Sequence, residues 1–135
     1  MIVPINDVQA LAFASLFPEM RDDGFSFVCR HVGAGNKIPM LNLSATHMGS
    51  IVGLFPCETY PDRIMIHACF LPDYRGEFAV YSANEAFDWI WKHTDYSKIS
   101  AYIEPEHVKA YAKRCGMVEK NGLFEVSRCQ KSLKA

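Results

Sequence analysis

The residues best placed to do chemistry lie where an apolar, strand-like segment passes through Tyr74-Arg75-Gly76 into a long helical pattern. The first segment reads RIMIHACFLP and the second reads EFAVYSANEAFDWIWKH. The first backbone N–H groups of a helix have no partner within the helix, and the positive end of the helix dipole lies at the same point. The sequence therefore predicts an anion-binding site beside Arg75, at the start of this helix.

His67 lies inside the strand that leads to this site. An imidazole titrates near neutral pH, so His67 is a candidate general base. The alternative is a structural histidine that makes hydrogen bonds among apolar neighbours. The histidines have no spacing that would gather a metal site, so we expect no metal.

The five cysteines are scattered along the chain and include no C-x-x-C pair. This usage is typical of reduced thiols, so we expect a cytoplasmic chain. Cys69 falls in the apolar strand and Cys115 on a helix, where a free cysteine usually acts as a small buried hydrophobe. A nucleophilic cysteine paired with His67 or His107 is the alternative.

Length and charge limit the possible partners. The chain has 135 residues and a formal net charge of −1, with acidic and basic residues interleaved, which predicts one domain and argues against nucleic acid. No apolar run approaches the length of a membrane span, and the first residues lack a signal-peptide pattern, so no membrane partner is expected. Arg128, Lys131 and Lys134 are interpreted as a solvated end of the chain, and a basic binding arm is the alternative.

The first half of the sequence predicts strands around one helix. Ile2–Ile5 suits a short strand, and Asn6 or Asp7 is a suitable N-cap for a helix that ends at Pro18. The segment GFSFVCRHV alternates as a strand does, and the breaker-rich stretch that follows predicts a loop to Pro39.

The second half predicts hairpins around a βαβ unit. MLNLSATHM and GSIVGLFPC predict an antiparallel pair with its turn near Met48–Gly49, and Tyr60-Pro61-Asp62 predicts the next turn. The strands Ile64–Leu71 and Ile99–Ile103, joined by the long helix, are expected to be parallel neighbours. Asn121-Gly122 predicts a final hairpin. The fold class is thus α/β (α+β), one domain over residues 1–135, with a mostly antiparallel sheet, one parallel pair and helices on both faces.

This order of elements resembles that of the GCN5-related N-acetyltransferases (GNAT), best between Gly49 and Glu125. Two local matches support it: Pro72-Asp73-Tyr74-Arg75-Gly76, and the helix that closes with Cys115-Gly116-Met117. The resemblance implies that acetyl-CoA lies where two strands splay apart, with its pyrophosphate on the loop and first helical turn. It also implies acyl transfer to an amine acceptor. The residues to which it assigns roles are His67 as base, Tyr111 as acid and, for the cofactor, Cys69, Phe70, Leu71, Arg75, Gly76, Glu77, Phe78 and Ala79.

The sequence departs from the family pattern at these positions. Phe78 and Val80 stand where the family has small residues that let the backbone approach phosphate. At about 6 Å and an effective dielectric of ~20, Glu77 would repel a phosphate by on the order of 3 kcal/mol per unit charge. The acid position of the family falls on Ala112, and one helical step of about 100° separates it from Tyr111. We therefore expect a loop that binds no phosphate or binds it weakly, and a displaced tyrosine.

Two functions follow from the resemblance and its departures. The first is an acetyl-CoA-dependent N-acetyltransferase that acts on a small or protein amine. The second is an inactive binding or assembly protein, similar to the GNAT-like proteins of tailed-phage heads and virions, with a virion location. Trp89 and Trp91 point about 200° apart on their helix. Either terminal elements cover the second tryptophan, or it forms a contact surface for an oligomer or a protein partner.

Overall fold

The computed structural model describes residues 1–16 and 40–128. The strands of this part are β1 (Ile2–Ile5), β2 (Met40–His47), β3 (Ser50–Thr59), β4 (Ile64–Ile66), β5 (Cys69–Phe70), β6 (Lys98–Tyr102), β7 (Val118–Lys120) and β8 (Leu123–Ser127). The helices are α1 (Asp7–Leu16), α2 (Glu77–His93) and α3 (Glu106–Arg114), with a short 3-10 turn at Pro72–Tyr74. The predicted strand GFSFVCRHV, the loop to Pro39 and the helix end at Pro18 lie outside the described residues.

The strands form one mixed sheet in the order β1-β2-β3-β4-β6-β8-β7, with β5 paired to β3. The one parallel pair of this sheet is β4 with β6, in which Ile64 lies opposite Ile99 and Met65 opposite Ser100. All the other strand pairs of the described part are antiparallel. The predicted fold class and the predicted parallel pair are confirmed, and α2 is the crossover that joins its strands.

Two tight turns have the backbone that their sequences predict. Met48 and Gly49 have φ values of 51° and 83°, and Asn121 and Gly122 have φ values of 51° and 84°. Two consecutive residues in the left-handed region make a type I′ turn, whose twist matches that of the strands on either side. Both predicted hairpins are therefore confirmed.

The first helix starts with a reciprocal cap. The Asn6 side chain accepts a hydrogen bond from the Gln9 N–H at 2.8 Å, and the Gln9 side chain accepts one from the Asn6 N–H at 2.9 Å. This capping box fixes Asn6, one of the two predicted candidates, as the N-cap.

Helices lie on both faces of the sheet. One core forms between the sheet and α2, and its large, fully buried members include Phe55, Ile90 and Phe124. On the other face, Ala14 of α1 packs with Leu54 of β3. Each large side chain buried in this way stabilises the fold by about 1.5–3 kcal/mol.

The two tryptophans of α2 have different surroundings. Trp91 is buried, and the Arg128 guanidinium lies 5.4 Å from its ring centre. Trp89 is half-buried and stacks on the His93 ring with 4.3 Å between centroids. The end of β8 thus covers one tryptophan, as the first alternative predicts.

Arg128 does not belong to a solvated end, so that interpretation is wrong for this residue. Its guanidinium donates to the carbonyl oxygens of Trp91 at 2.5 Å, Thr94 at 2.7 Å and Tyr96 at 2.6 Å. These carbonyls belong to the end of α2 and the loop after it, where helical carbonyls lack partners. Arg128 therefore holds the end of α2 against the end of β8. Lys131 and Lys134 lie outside the described residues.

The predicted single strand Ile64–Leu71 is interrupted, which corrects the sequence-based boundary. β4 and β5 keep one register along β3, and the break falls at His67 and Ala68. The His67 N–H donates to the Pro56 carbonyl at 2.9 Å, but proline has no N–H to return to His67. The ladder therefore loses a hydrogen bond at Pro56. The sequence contains this signal, since Pro56 lies opposite His67 once the hairpin turn is placed.

Candidate functional site

A cavity of about 570 Å³ opens beyond the last paired residues of β4 and β6, between β6 and β5, which pairs with β3. Its walls are β5, the ends of β4 and β6, and one side each of α2 and α3. Many of its lining side chains are small, which leaves room between the helices and the sheet: Ala68, Ala79, Ala83, Ala101, Ala110 and Ala112. A site of this size suits a cofactor or an extended small molecule.

The start of α2 lies at this cavity. The N–H groups of Ala79 and Val80 donate to the Gly76 carbonyl at 3.0 Å and 3.2 Å. Within the described residues, no backbone acceptor is paired with the N–H groups of Gly76, Glu77 or Phe78. A Cβ added at Gly76 would meet no atom within 4 Å, so the position faces open space. The predicted anion site therefore has open donors and a positive dipole end.

Arg75 ties the loop to the sheet. Its Nε donates to the Phe70 carbonyl at 2.9 Å. The Leu71 N–H donates to Val52 of β3 at 3.0 Å, and successive strand residues direct their peptide groups to opposite edges. The peptide groups of Phe70 are therefore directed toward the cleft, and those of Leu71 toward β3.

Phe78 turns away from the cavity. Its ring packs against the rings of Tyr74, His47 and Phe70, with centroids 5.3 Å, 5.5 Å and 6.4 Å away. The Phe78 side chain thus occupies an aromatic cluster on one side of the first helical turn. In this position it does not obstruct the open N–H groups.

Glu77 is exposed and forms an ion pair with Arg114 near the end of α3. Arg114 also lines the cavity, whereas Glu77 does not. The repulsion expected from the Glu77 carboxylate is therefore reduced by a cation that lies at the same place. Because both side chains are exposed, the pair itself contributes only about 0–1 kcal/mol to stability.

Tyr111 lines the cavity, and its hydroxyl donates to the Ala79 carbonyl at 2.9 Å. Burial, followed by the nearby Cys115 thiol, raises the pKa of Tyr111 above its ordinary range. Burial likewise raises the pKa of Cys115 from 9.0 to about 11. Tyr111 therefore stays protonated at neutral pH and ties α3 to the first turn of α2.

His67 lies at the rim of the cavity, next to a carboxylate that sequence reasoning missed. Its Nε2 is 3.9 Å from Glu58 Oε1, and the Tyr60 hydroxyl donates to Glu58 Oε2 at 3.1 Å. Desolvation, followed by the hydrogen bond and the charge of Glu58, raises the pKa of Tyr60. The signal was available in the sequence, because a turn at Tyr60-Pro61-Asp62 places Glu58 and His67 diagonally on one face of the hairpin.

The structure brings most of the predicted site residues together. Those that line the cavity are His67, Tyr111, Cys69, Phe70, Arg75, Gly76 and Ala79. Leu71, Glu77 and Phe78 do not line it, for the geometric reasons given above. Within the described residues, Cys69 and Cys115 are buried cysteines outside any disulfide, as is Cys57, which lies away from the cavity.

The fold has known counterparts among solved structures. Over its whole length the chain matches aminoglycoside acetyltransferase AAC(6')-Ib in complex with coenzyme A and kanamycin, with 9% identity, a TM-score of 0.77 and 99% of that chain covered. A variant of spermidine N-acetyltransferase SpeG from Vibrio cholerae matches with 15% identity and a TM-score of 0.71, with 96% of each chain covered. Ribosomal-protein-S5-alanine acetyltransferase from Vibrio fischeri matches with 14% identity and a TM-score of 0.65, covering 93% of this chain and 91% of that one.

These likenesses define the fold of the described chain as that of the GNAT acetyltransferases. No protein-family model and no curated protein sequence matches the chain. None of the helices in residues 1–16 and 40–128 is long and apolar enough to span a bilayer.

Proposed function

We propose that this protein is an acetyl-CoA-dependent N-acetyltransferase that acts on an amine acceptor. The observation that carries the proposal is the cleft beside β5, which ends at open N–H groups at the start of α2. The similarity of the fold to acetyltransferase structures, some with coenzyme A bound, supports the same conclusion.

The residues present fit this cofactor. The N–H groups of Gly76 to Phe78 and the Arg75 guanidinium would hold the pyrophosphate. The Phe70 N–H would donate to the pantetheine arm, as at a sheet edge, while the Phe70 carbonyl keeps its bond from Arg75 Nε. When bound, acetyl-CoA supplies an activated acetyl group. The small side chains of the cavity leave space for it, and the apolar walls exclude water.

The proton-transfer roles follow from the two groups at the cavity. We assign His67 as the group that accepts a proton from the acceptor amine. Tyr111 is the candidate acid, since it is protonated at neutral pH. To act, its hydroxyl would have to leave the Ala79 carbonyl, so we expect Tyr111 to position the first turn of α2 as well.

The acceptor is proposed to be a small or protein amine in the cytoplasm. The structural neighbours include enzymes for spermidine and aminoglycosides, which carry several amino groups. Spermidine and kanamycin are therefore the first acceptors to test.

A second function is an inactive assembly protein of the tailed-phage head or virion type. The exposed Glu77 supports it, because a carboxylate at the start of a helix takes the place of a bound anion. The half-buried Trp89 supports a contact with a protein partner or a second copy. In this case the open cleft is an inherited feature of the fold and binds no cofactor.

Thermal unfolding with acetyl-CoA separates the two functions. Ligand at about one hundred times its dissociation constant should add roughly 2.7 kcal/mol to the stability. Arg75→Gln should reduce this gain, whereas Lys120→Gln, on the exposed strand β7, should not. Absence of any shift at millimolar acetyl-CoA would refute the enzyme proposal and favour assembly.

A further inference from the structure

Glu58, His67 and Tyr60 form a polar cluster on the face of the sheet opposite α2. Phe55 and Cys57 of β3 point into the core beneath α2, so Glu58 points to the other face. His67 lies on that same face, since Pro56 is its partner across the ladder. The cluster sits at the rim of the cleft and not in its apolar interior.

Hydrogen bonds fix the members of this cluster, beginning with the main chain of His67. The His67 main chain is held by its N–H bond to the Pro56 carbonyl at 2.9 Å. The Glu58 carboxylate is held on one oxygen by Tyr60, and its other oxygen faces His67 Nε2 at 3.9 Å. The Glu58 side chain is 17% exposed and that of His67 is 36% exposed, so the carboxylate is more enclosed than the ring it faces.

We propose that Glu58 is the positioning residue for His67, a role that rests on the proposed acetyltransferase function. The carboxylate favours the tautomer with hydrogen on Nε2 and leaves Nδ1 as the basic nitrogen. In the reaction, an N–H bond of the protonated acceptor (R–NH3+) breaks, its electron pair stays on the amine nitrogen as the nucleophile, and an Nδ1–H bond forms on His67. The resulting imidazolium is stabilised by the Glu58 charge, and no oxidant or reductant takes part.

Other charged and titratable groups surround the same cavity, and the test variants must leave these groups unchanged. From β5, the loop after it, β6, its following segment, α3 and the residue after α3, they are Cys69, Arg75, Tyr102, Glu104, His107, Tyr111, Arg114 and Cys115. Glu58 Oε1 lies at ion-pair distance from the His67 ring, 3.9 Å from Nε2.

The test compares Glu58→Gln with Glu106→Gln in the full chain. Glu106 is 90% exposed and pairs with Lys109, so its variant removes one carboxylate charge from a site outside the cavity. The first readout is ¹⁵N NMR of the His67 ring without any ligand. We expect the titration midpoint of His67 to fall by roughly one pH unit in Glu58→Gln and to stay unchanged in Glu106→Gln.

A second variant, Tyr60→Phe, covers the case in which Glu58→Gln does not fold. It keeps the carboxylate and removes the hydroxyl that orients it, so we expect a smaller fall of the midpoint in the same direction. In the acetylation assay, Glu58→Gln should lower kcat about tenfold to a hundredfold with KM little changed, as expected when a supporting partner is removed.

The outcomes separate this inference from the proposed function. An unchanged His67 midpoint in both Glu58→Gln and Tyr60→Phe overturns the positioning role, whatever the activity. If the wild-type protein binds acetyl-CoA but acetylates no amine, the catalytic part of the inference is overturned. If acetyl-CoA does not bind, the proposed function itself fails, and the ligand-free NMR result still decides whether Glu58 controls the His67 ring.

Discussion

Among the glycines of the described residues, Gly53 should be the one where an added methyl group does most damage to the cleft. A Cβ at this residue would lie 2.5 Å from two carbons of the Phe70 ring, which crosses β3 at this point. That ring also lines the cavity and packs edge-on against Phe55 with 5.4 Å between centroids. Gly53→Ala therefore forces the Phe70 ring or the β3 backbone to move.

The expected cost follows from overpacking. Extra carbon in a packed core destabilises the fold by about 1–3 kcal/mol. Replacing glycine also lowers the conformational entropy of the unfolded chain, which offsets at most ~1 kcal/mol of this cost. We therefore expect Gly53→Ala to lower the free energy of unfolding by about 1–2 kcal/mol. The displaced ring should also enter the cleft and weaken acetyl-CoA binding.

Gly76→Ala is the matched control, because its Cβ would meet no protein atom within 4 Å. Urea unfolding should give this variant a smaller loss of stability than Gly53→Ala, because only the preference for glycine over alanine at the N-cap is lost. Acetyl-CoA binding should weaken, since the methyl group occupies the phosphate approach. Adding Phe70→Leu to Gly53→Ala should restore part of the lost stability. Equal stability of Gly53→Ala and Gly76→Ala would refute the packing argument.

Three further predictions concern stability. Arg128→Ala should lower the free energy of unfolding by about 2–4 kcal/mol, because three carbonyls lose their donor. A loss in urea unfolding below about 0.5 kcal/mol, the value of one weak hydrogen bond, would contradict this. Phe78→Gly should destabilise by about 2 kcal/mol or more instead of opening the site, since the ring packs in an aromatic cluster; its urea midpoint should fall even if acetyl-CoA affinity is unchanged. Stability should also decline as pH rises above 9.0, toward about 11, because the folded state keeps the Cys115 proton that the unfolded state releases. Cys115→Ala should flatten this decline, and an identical pH profile for the variant would refute the assignment.

The architecture could be predicted from the sequence wherever local signals agree with the tertiary structure. The Met48–Gly49 and Asn121-Gly122 turns, the length of α2 and the parallel β4–β6 pair all follow from such signals. The interruption at His67 was missed because it depends on Pro56, which becomes its neighbour only across the ladder.

The site was less predictable, because its details depend on contacts between distant segments. In the sequence, the loop residues Glu77 and Phe78 suggest that the approach of phosphate is obstructed. In the folded chain, Arg114 pairs with the first and the aromatic cluster accommodates the second. The role of Arg128 could not be deduced either, since its three carbonyl partners lie more than thirty positions away in the chain.

The proposed function depends on binding of acetyl-CoA in the cleft between β5 and β6, at the start of α2. A titration of the ¹⁵N-labelled protein with coenzyme A, followed through its amide signals, tests this most directly. We expect saturable shifts of the Phe70, Gly76, Glu77 and Phe78 amides, with those of β1 and β7 unchanged. Saturating shifts confined to other elements, or no shifts at millimolar coenzyme A, would contradict it.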